Sequence, residues 1–213
     1  MTRLDPTPDA VGAMRVWLCD AERQRAGRFR FARDRRRFIV ARARLRQLLA
    51  ARLGVRPESV ELAYGKNGKP SLARGFADTH WRFNVSHCDD VAVYAFSPGR
   101  EIGIDIEAIR AVREADAIAA QFFSRPENEA YLALAPSDKR LGFFNCWTRK
   151  EAVVKALGEG LSMRLDQFDV SLAPGEPARI LRVASALGDD CGWRLASFSP
   201  LPGFIAALAS RRG

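Results

Sequence analysis

The chain has 213 residues, of which 47% are apolar and 28% charged, and it carries a formal net charge of +9. A chain of this length and composition can bury one large hydrophobic core or two smaller ones. Its apolar runs fall short of the roughly eighteen residues of a membrane span, and its first residues lack the basic and apolar regions of a signal peptide. We therefore expect a cytoplasmic protein without a membrane partner. The cysteines Cys19, Cys88, Cys146 and Cys191 form no Cys-x-x-Cys pair, which argues against a zinc site or a disulfide scaffold.

The positive charge is concentrated near the N-terminus. A short strand is predicted at residues 15–19, and residues 21–53 have the periodicity of one helix with Gly54 as its stop. Eleven arginines lie within residues 23–46: Arg23, Arg25, Arg28, Arg30, Arg33, Arg35, Arg36, Arg37, Arg42, Arg44 and Arg46. We expect about half of them only to solvate a helix face and the remainder to line a site for phosphate groups. Polyanions or acidic proteins are the partners that such a charge favours.

A glycine-rich turn follows at residues 65–70, after a predicted strand at 59–64. It holds Lys69 between Gly68 and Pro70, which makes this lysine a candidate for an anion contact. An exposed hairpin lysine is the alternative. Because the turn lacks the Gly-Lys-Ser/Thr ending of a Walker A loop, it does not indicate a nucleotide site of that kind.

Two further strands are predicted at residues 81–87 and 91–96, with residues 86–90 as the connecting turn. The turn contains the neighbours Ser86 and His87, and His80 is the one other histidine. Adjacent strand residues point to opposite faces, and no Gly-x-Ser-x-Gly motif is present. The Ser86-His87 pair therefore does not indicate a serine hydrolase.

Two carboxylates share one face of a strand predicted at residues 102–107. The isoleucines occupy every second position, so Asp105 and Glu107 lie on the opposite face together with Gly103. Like charges at that separation repel each other unless a cation lies between them, and hard oxygen ligands suit Mg²⁺ or Mn²⁺. An edge strand with a solvated polar face is the alternative.

The second half of the chain is helical before it returns to strands. Helices are predicted at residues 111–123, from residue 125 onward with Ser124 as a cap, and at 138–157. In the last of these, Trp147, Glu151 and Lys155 are spaced four apart and share a face, although a plain surface pair is the alternative. Strands are predicted at residues 168–172, 179–183, 193–198 and 204–208. Each half of the chain, divided near residue 100, contains a helical block and several strands. This order of elements predicts lobes at 1–100 and 101–213.

Five ordered segments together resemble the signature of the phosphopantetheinyl transferases, in particular the longer type that activates peptide and polyketide synthases. The segments are Gly68-Lys69-Pro70, Asn84-Val85-Ser86-His87, Ile102-Gly103-Ile104-Asp105-Ile106-Glu107, Phe122-Phe123-Ser124, and Trp147-Thr148-Arg149-Lys150-Glu151-Ala152-Val153-Val154-Lys155 with Gly158-Glu159-Gly160-Leu161. The resemblance covers residues 23–172. It implies an α+β fold of two similar lobes, related as a pseudo-twofold duplication, with the active site in the cleft between them and a monomeric chain.

The resemblance also implies a reaction. The 4′-phosphopantetheine arm of coenzyme A is transferred to a serine of an acidic apo carrier protein (acyl, peptidyl or polyketide carrier), and 3′,5′-ADP is released, in the service of secondary metabolite biosynthesis. Attack on the β-phosphate builds negative charge around a pyrophosphate, so this chemistry requires a metal, cations and a base. Arginines that do not contact coenzyme A, with an apolar patch near residues 126–135, would then dock the carrier.

Roles for individual residues follow from the same resemblance. Asp105, Glu107 and Glu151 would hold Mg²⁺, with Mn²⁺ as a substitute, while Lys155 and His87 would contact the pyrophosphate. The residues expected at the 3′-phosphate are Arg37, Lys69 and Ser86, with Arg25 as a weaker candidate. The general base is expected to be Glu127, with Glu151 or a metal-bound water as the alternatives.

Two other functions fit parts of the sequence. A carboxylate pair on a strand, a Glu and a Lys on a helix, and a basic surface are compatible with a metal-dependent nuclease. Nucleases of that kind usually carry their Glu and Lys on one strand as Glu-x-Lys, whereas Glu151 and Lys155 lie on a predicted helix. A non-catalytic basic binding module would leave the carboxylates unexplained. We therefore expect no nucleic-acid partner.

Overall fold

The computed structural model describes residues 1–158, 160, 163–184 and 192–212. The helices are α1 (Pro8–Met14), α2 (Asp20–Gly27), α3 (Ala32–Leu53), α4 (Ala115–Phe122), α5 (Arg125–Leu132) and α6 (Pro136–Leu157). The strands are β1 (Thr2–Arg3), β2 (Leu62–Tyr64), β3 (Pro70–Leu72), β4 (Trp81–Cys88), β5 (Val91–Pro98), β6 (Arg100–Ala108), β7 (Phe168–Val170), β8 (Ile180–Val183), β9 (Trp193–Phe198) and β10 (Phe204–Arg212). This mixture confirms the α+β fold class. None of the helices described is both long and apolar enough to cross a membrane.

The N-terminal half packs α3 on a small antiparallel sheet with the order β1-β5-β4, and α2 packs on α3. The single helix predicted at 21–53 is wrong, because the chain breaks after Gly27 and α2 folds back onto α3. Two contacts explain the break: the rings of Phe29 and Phe38 lie 5.3 Å apart, and buried Arg46 donates to the Glu22 carboxylate over 2.6 Å. The strand predicted at 15–19 is also wrong, since Arg15–Trp17 is a 3₁₀ turn.

The C-terminal half places α6 on a second antiparallel sheet with the order β6-β10-β9. The helix is held close to the sheet because Ala207 and Ala209 of β10 are small and fully buried beneath it. Gly158, in the left-handed conformation with φ of 79°, ends α6 as a glycine C-cap. The predictions that concern Glu159, Leu161 and Cys191 lie outside the described residues.

Strands β4 and β6 bring the two halves together without a backbone ladder. The Asn84 side-chain oxygen accepts a hydrogen bond from the Ile104 amide over 2.9 Å, and the Cys88 sulfur accepts one from the Ala108 amide over 3.3 Å. The predicted boundary at residue 100 falls where β5 turns into β6. The division into lobes 1–100 and 101–213 as a pseudo-twofold duplication stays a prediction.

Candidate active site

A buried aspartate lies at the meeting point of β4, β6 and α6. Asp105 of β6 is only 4% exposed. Its Oδ1 accepts hydrogen bonds from the Lys155 ammonium over 2.6 Å and from the Ser86 hydroxyl over 2.9 Å. Lys155 also donates to the Ser86 oxygen over 3.0 Å. The second oxygen, Oδ2, is buried and has no hydrogen-bond partner among the described residues.

Two glutamates complete a carboxylate cluster around Asp105. Burial raises the pKa of Glu107, and the neighbouring charge of Asp105 raises it further. Burial likewise raises the pKa of Glu151, and the charges of Asp105 and Glu107 add to this effect. The charge of Asp105 therefore disfavours the ionised state of both glutamates, and the charge of Glu107 disfavours that of Glu151, as expected for a site that attracts a cation.

The cluster has the donor set of a magnesium site. Its oxygens are hard ligands, and the buried Oδ2 of Asp105 lacks any other partner among the described residues. Over residues 1–158, 160, 163–184 and 192–212, no three His, Cys, Asp or Glu side chains are arranged so that they would already hold a metal ion. The residues thus fit such an ion in chemistry and charge, while Lys155 is the cation that contacts Asp105 in this structure.

A basic cavity of about 570 Å³ opens beside the cluster, between α3 and β4. Its walls include Arg25, Arg37, Arg42 and His87, together with the aromatic ring of Phe38. Desolvation lowers the pKa of His87, and the charges of Lys155, Arg42 and Arg37 lower it further. At neutral pH His87 is therefore an uncharged hydrogen-bonding group among fixed cations.

A second cavity, of about 480 Å³, adjoins the first and shares Pro70 and Val85 with it. Lys69, Glu151 and Lys155 line this second cavity. Lys69 donates to the Ala156 carbonyl over 3.2 Å, and burial lowers its pKa. The two cavities share Pro70 and Val85 as wall residues and are together called the cleft: arginines line one part of it, and Glu151 and Lys155 line the other.

Comparison with known proteins identifies the family. Residues 101–208 match the 4′-phosphopantetheinyl transferase superfamily, and residues 3–99 match the family described as 4′-phosphopantetheinyl transferase, N-terminal. The chain belongs to the 4′-phosphopantetheinyl transferase superfamily. The resemblance inferred from its motifs is confirmed.

Two relatives of known name share about a third of their aligned residues with the transferase. It is 36% identical over 206 residues to the 4′-phosphopantetheinyl transferase HetI of Nostoc sp., an alignment that covers 97% of this chain and 84% of HetI. It is 31% identical to the human L-aminoadipate-semialdehyde dehydrogenase-phosphopantetheinyl transferase, over 72% of this chain and 52% of that protein. The match with a solved Thermotoga maritima holo-[acyl-carrier-protein] synthase covers 53% of this chain and 62% of the synthase chain, with 21% identity and a TM-score of 0.42. HetI and the human protein are both named as phosphopantetheinyl transferases, and neither is named as a nuclease.

The transferase does not bring all the residues predicted for the 3′-phosphate into one cavity. Arg25 and Arg37 line the basic cavity together with His87. Lys69 lies in the adjoining cavity, and buried Ser86 is bonded to Asp105 and Lys155. Sequence reasoning did not single out Arg42, although its i, i+4 spacing from Phe38 on α3 places both residues on the face that lines the cavity.

Glu127, predicted as the general base, lies apart in a buried ion pair. It is 2% exposed, and its carboxylate lies 2.8 Å from the Lys150 ammonium. It accepts hydrogen bonds from the amides of Ser124 and Val170, each over 2.7 Å. Ser124 and Glu127 form a capping box at the start of α5, a signal that the sequence already contained. These contacts are typical of a structural residue; the base role of Glu127 stays a prediction, and Glu151, the first alternative, is the one of the two that lines the cleft.

Proposed function

We propose that this transferase moves the 4′-phosphopantetheine arm of coenzyme A to a serine of an apo carrier protein and releases 3′,5′-ADP. The observation that carries the proposal is the cleft itself. Cationic and hydrogen-bonding groups at Arg25, Arg37 and His87 line one cavity, and Glu151 lines the adjoining cavity together with Lys155, which contacts Asp105. A nucleotide with several phosphates, attached to an uncharged arm, has the charge distribution that such a cleft would bind.

The arginines would hold the phosphorylated nucleotide end of the substrate. Arg37 already makes two hydrogen bonds to a single carboxylate oxygen of Asp5, over 2.8 and 3.1 Å, a contact that an anionic phosphate can replace. Lys69 and Lys155 lie nearer to the carboxylates and would contact the pyrophosphate. This ordering places the bond that breaks beside Glu151.

The chemical step requires a proton acceptor and stabilisation of the leaving group. The serine hydroxyl of the carrier forms a bond to the β-phosphorus, and the bond from that phosphorus to the 3′,5′-ADP oxygen breaks. Glu151 lines the cleft, and one of its two carboxylate oxygens would accept the hydroxyl proton while the other remains available to a metal ion. Lys155 donates to the phosphate oxygens on which negative charge accumulates.

Asp105, Glu107 and Glu151 would hold Mg²⁺, and Mn²⁺ would fit the same oxygens. When bound, the ion would neutralise charge on the pyrophosphate. We further propose an acidic carrier as partner, because the chain has a net charge of +9. We propose that the enzyme is a cytoplasmic monomer that serves secondary metabolism and has no nucleic-acid or membrane partner. Light scattering that showed an obligate oligomer would contradict the monomeric state.

An intact-mass experiment tests the proposal. The protein is incubated with coenzyme A, Mg²⁺ and an apo carrier domain, and the carrier should gain the mass of one phosphopantetheine group. A carrier with its acceptor serine replaced by alanine should gain nothing, and EDTA should stop the reaction. An unmodified carrier combined with Mg²⁺-dependent degradation of DNA would instead favour a nuclease.

A further inference from the structure

The Lys155–Asp105 pair has a feature that binding of a pyrophosphate does not explain. Lys155 points its ammonium at Asp105 Oδ1 and also donates to Ser86, while Ser86 donates to the same Oδ1. These three contacts form a closed triangle of hydrogen bonds. The triangle directs the ammonium of Lys155 toward β6 and the carboxylates. Binding of a substrate phosphate by Lys155 does not require this orientation.

The carboxylate cluster explains why an ammonium lies there. Among the described residues, Lys155 is the one cation that forms an ion pair with Asp105, Glu107 or Glu151. Asp105 is almost fully buried, and a buried carboxylate without a counterion is strongly disfavoured. The ammonium therefore supplies a positive charge that the cluster needs when no other cation is bound.

We propose that Lys155 is a placeholder for the divalent cation in the free enzyme and that cation binding displaces its ammonium from Asp105. The displaced side chain is then available to the substrate phosphates. This inference rests on the proposed function for the identity of the second ligand, coenzyme A. It makes the binding of metal and coenzyme A mutually favourable, since each ligand favours the same position of Lys155.

Metal titration without coenzyme A or carrier tests the first step. Mn²⁺ binding is measured by electron paramagnetic resonance on the wild-type protein and on Lys155→Gln. The variant should bind Mn²⁺ at least about ten-fold more tightly, because the ion no longer competes with an ammonium. Lys155→Arg keeps the charge and should bind as weakly as the wild type, and circular dichroism checks that each variant is folded.

Lys69→Gln is the matched control for charge alone. It removes one lysine from the same cavity without touching Asp105, so its Mn²⁺ affinity should change by less than about three-fold. If Lys155→Gln binds Mn²⁺ no more tightly than the wild type, the ammonium does not compete with the ion and the proposal is wrong.

Nuclear magnetic resonance of the lysine ammonium groups distinguishes displacement from a general charge effect. The Lys155 signal is assigned by its absence in Lys155→Gln. In the free protein its hydrogen bonds should slow proton exchange and keep the signal visible, and Mg²⁺ alone should shift or broaden it. A signal that stays unchanged while Mg²⁺ saturates the site would overturn the proposal. Because neither measurement includes a carrier or a transfer step, their outcome is independent of whether the proposed reaction occurs.

Discussion

Gly103 of β6 lies directly against the backbone of Ala152 in α6. A β-carbon at Gly103 would be 2.0 Å from the Ala152 carbonyl oxygen and 2.3 Å from the Ala156 amide nitrogen. Both contacts are with backbone atoms, so no side-chain rotation can relieve them. Only a glycine lets α6 approach β6 this closely, and this approach sets the distance between Glu151 on the helix and Asp105 on the strand.

Gly103→Ala should therefore destabilise the protein by about 1–3 kcal/mol or more and move Glu151 and Lys155 away from Asp105. Urea denaturation measures the first effect, and transfer activity of the folded fraction measures the second. Gly12→Ala is the control, because Gly12 lies in α1 and a β-carbon there would have no other atom within 4 Å. The control should be neutral or slightly stabilising, and equal behaviour of the two variants would contradict the close-approach argument.

The sequence predicted the faces on which the candidate site residues lie better than it predicted their surroundings. Alternation in β6 correctly places Asp105 and Glu107 on one face, and the spacing of four correctly places Glu151 and Lys155 on one face of α6, because both follow from local geometry. The role of Glu127 could not be read from its pattern alone. Its burial depends on Lys150 and on β7, which are distant in sequence and meet it only in the folded chain.

The raised pKa values of Glu107 and Glu151 predict a cost in stability for the metal-free protein. At these two groups the folded protein binds protons more tightly than the unfolded chain. The free energy of unfolding should therefore rise as the pH falls from neutral through the raised values, and the effect should level off below the ordinary glutamate pKa. Glu151→Gln should raise the free energy of unfolding at neutral pH by roughly 0.5–1 kcal/mol, and this gain should shrink in acid.

Thermal unfolding at several pH values checks this prediction, with the exposed Glu61→Gln as control. Added Mg²⁺ should raise the Tm of the wild type and have little effect on Glu151→Gln, because the variant has lost a ligand. A gain for Glu151→Gln that is equally large at acid pH would mean that charge repulsion is not its cause.

The buried Lys150–Glu127 pair should contribute to stability and not to catalysis. Lys150 is fully buried, and it also donates to the carbonyls of Leu165 and Phe168 over 2.6 and 2.7 Å. Lys150→Met leaves the Glu127 charge without a partner and should cost about 3–5 kcal/mol. Glu127→Gln should lower stability while the folded fraction keeps its kcat, whereas Glu151→Gln should lose kcat. Loss of kcat in stable, folded Glu127→Gln would restore Glu127 as the base.

Arg37 should distinguish coenzyme A from its form without the 3′-phosphate. Loss of a charged hydrogen-bonding partner should raise the KM for coenzyme A about ten-fold or more in Arg37→Ala. The KM for dephospho-coenzyme A should stay within about two-fold of the wild-type value. Arg28→Ala is the matched control, since Arg28 is an exposed arginine of the same region that does not line the cavity. If both substrates are affected equally by Arg37→Ala, Arg37 does not contact the 3′-phosphate.

Docking of the carrier should depend on arginines that lie outside the cleft. Arg33 is suited to test this, because its side chain is 64% exposed and its one ion pair among the described residues, with Asp34, is 3.5 Å long. Arg44, by contrast, is half-buried and donates to Gln47. It is therefore less suited to charge reversal than Arg33.

Arg33→Glu should raise the KM for an acidic carrier about three- to ten-fold at low salt and leave the KM for coenzyme A unchanged. Arg179→Glu is the matched control, since it changes the net charge equally at a side chain that is 61% exposed in the other half of the chain. Steady-state kinetics across a salt series should show the difference between the two variants vanish near 1 M salt, where the screening length is only about 3 Å. Equal effects of Arg33→Glu and Arg179→Glu would indicate attraction by net charge alone. A carrier KM that changes neither with salt nor in Arg33→Glu would indicate docking through apolar contacts.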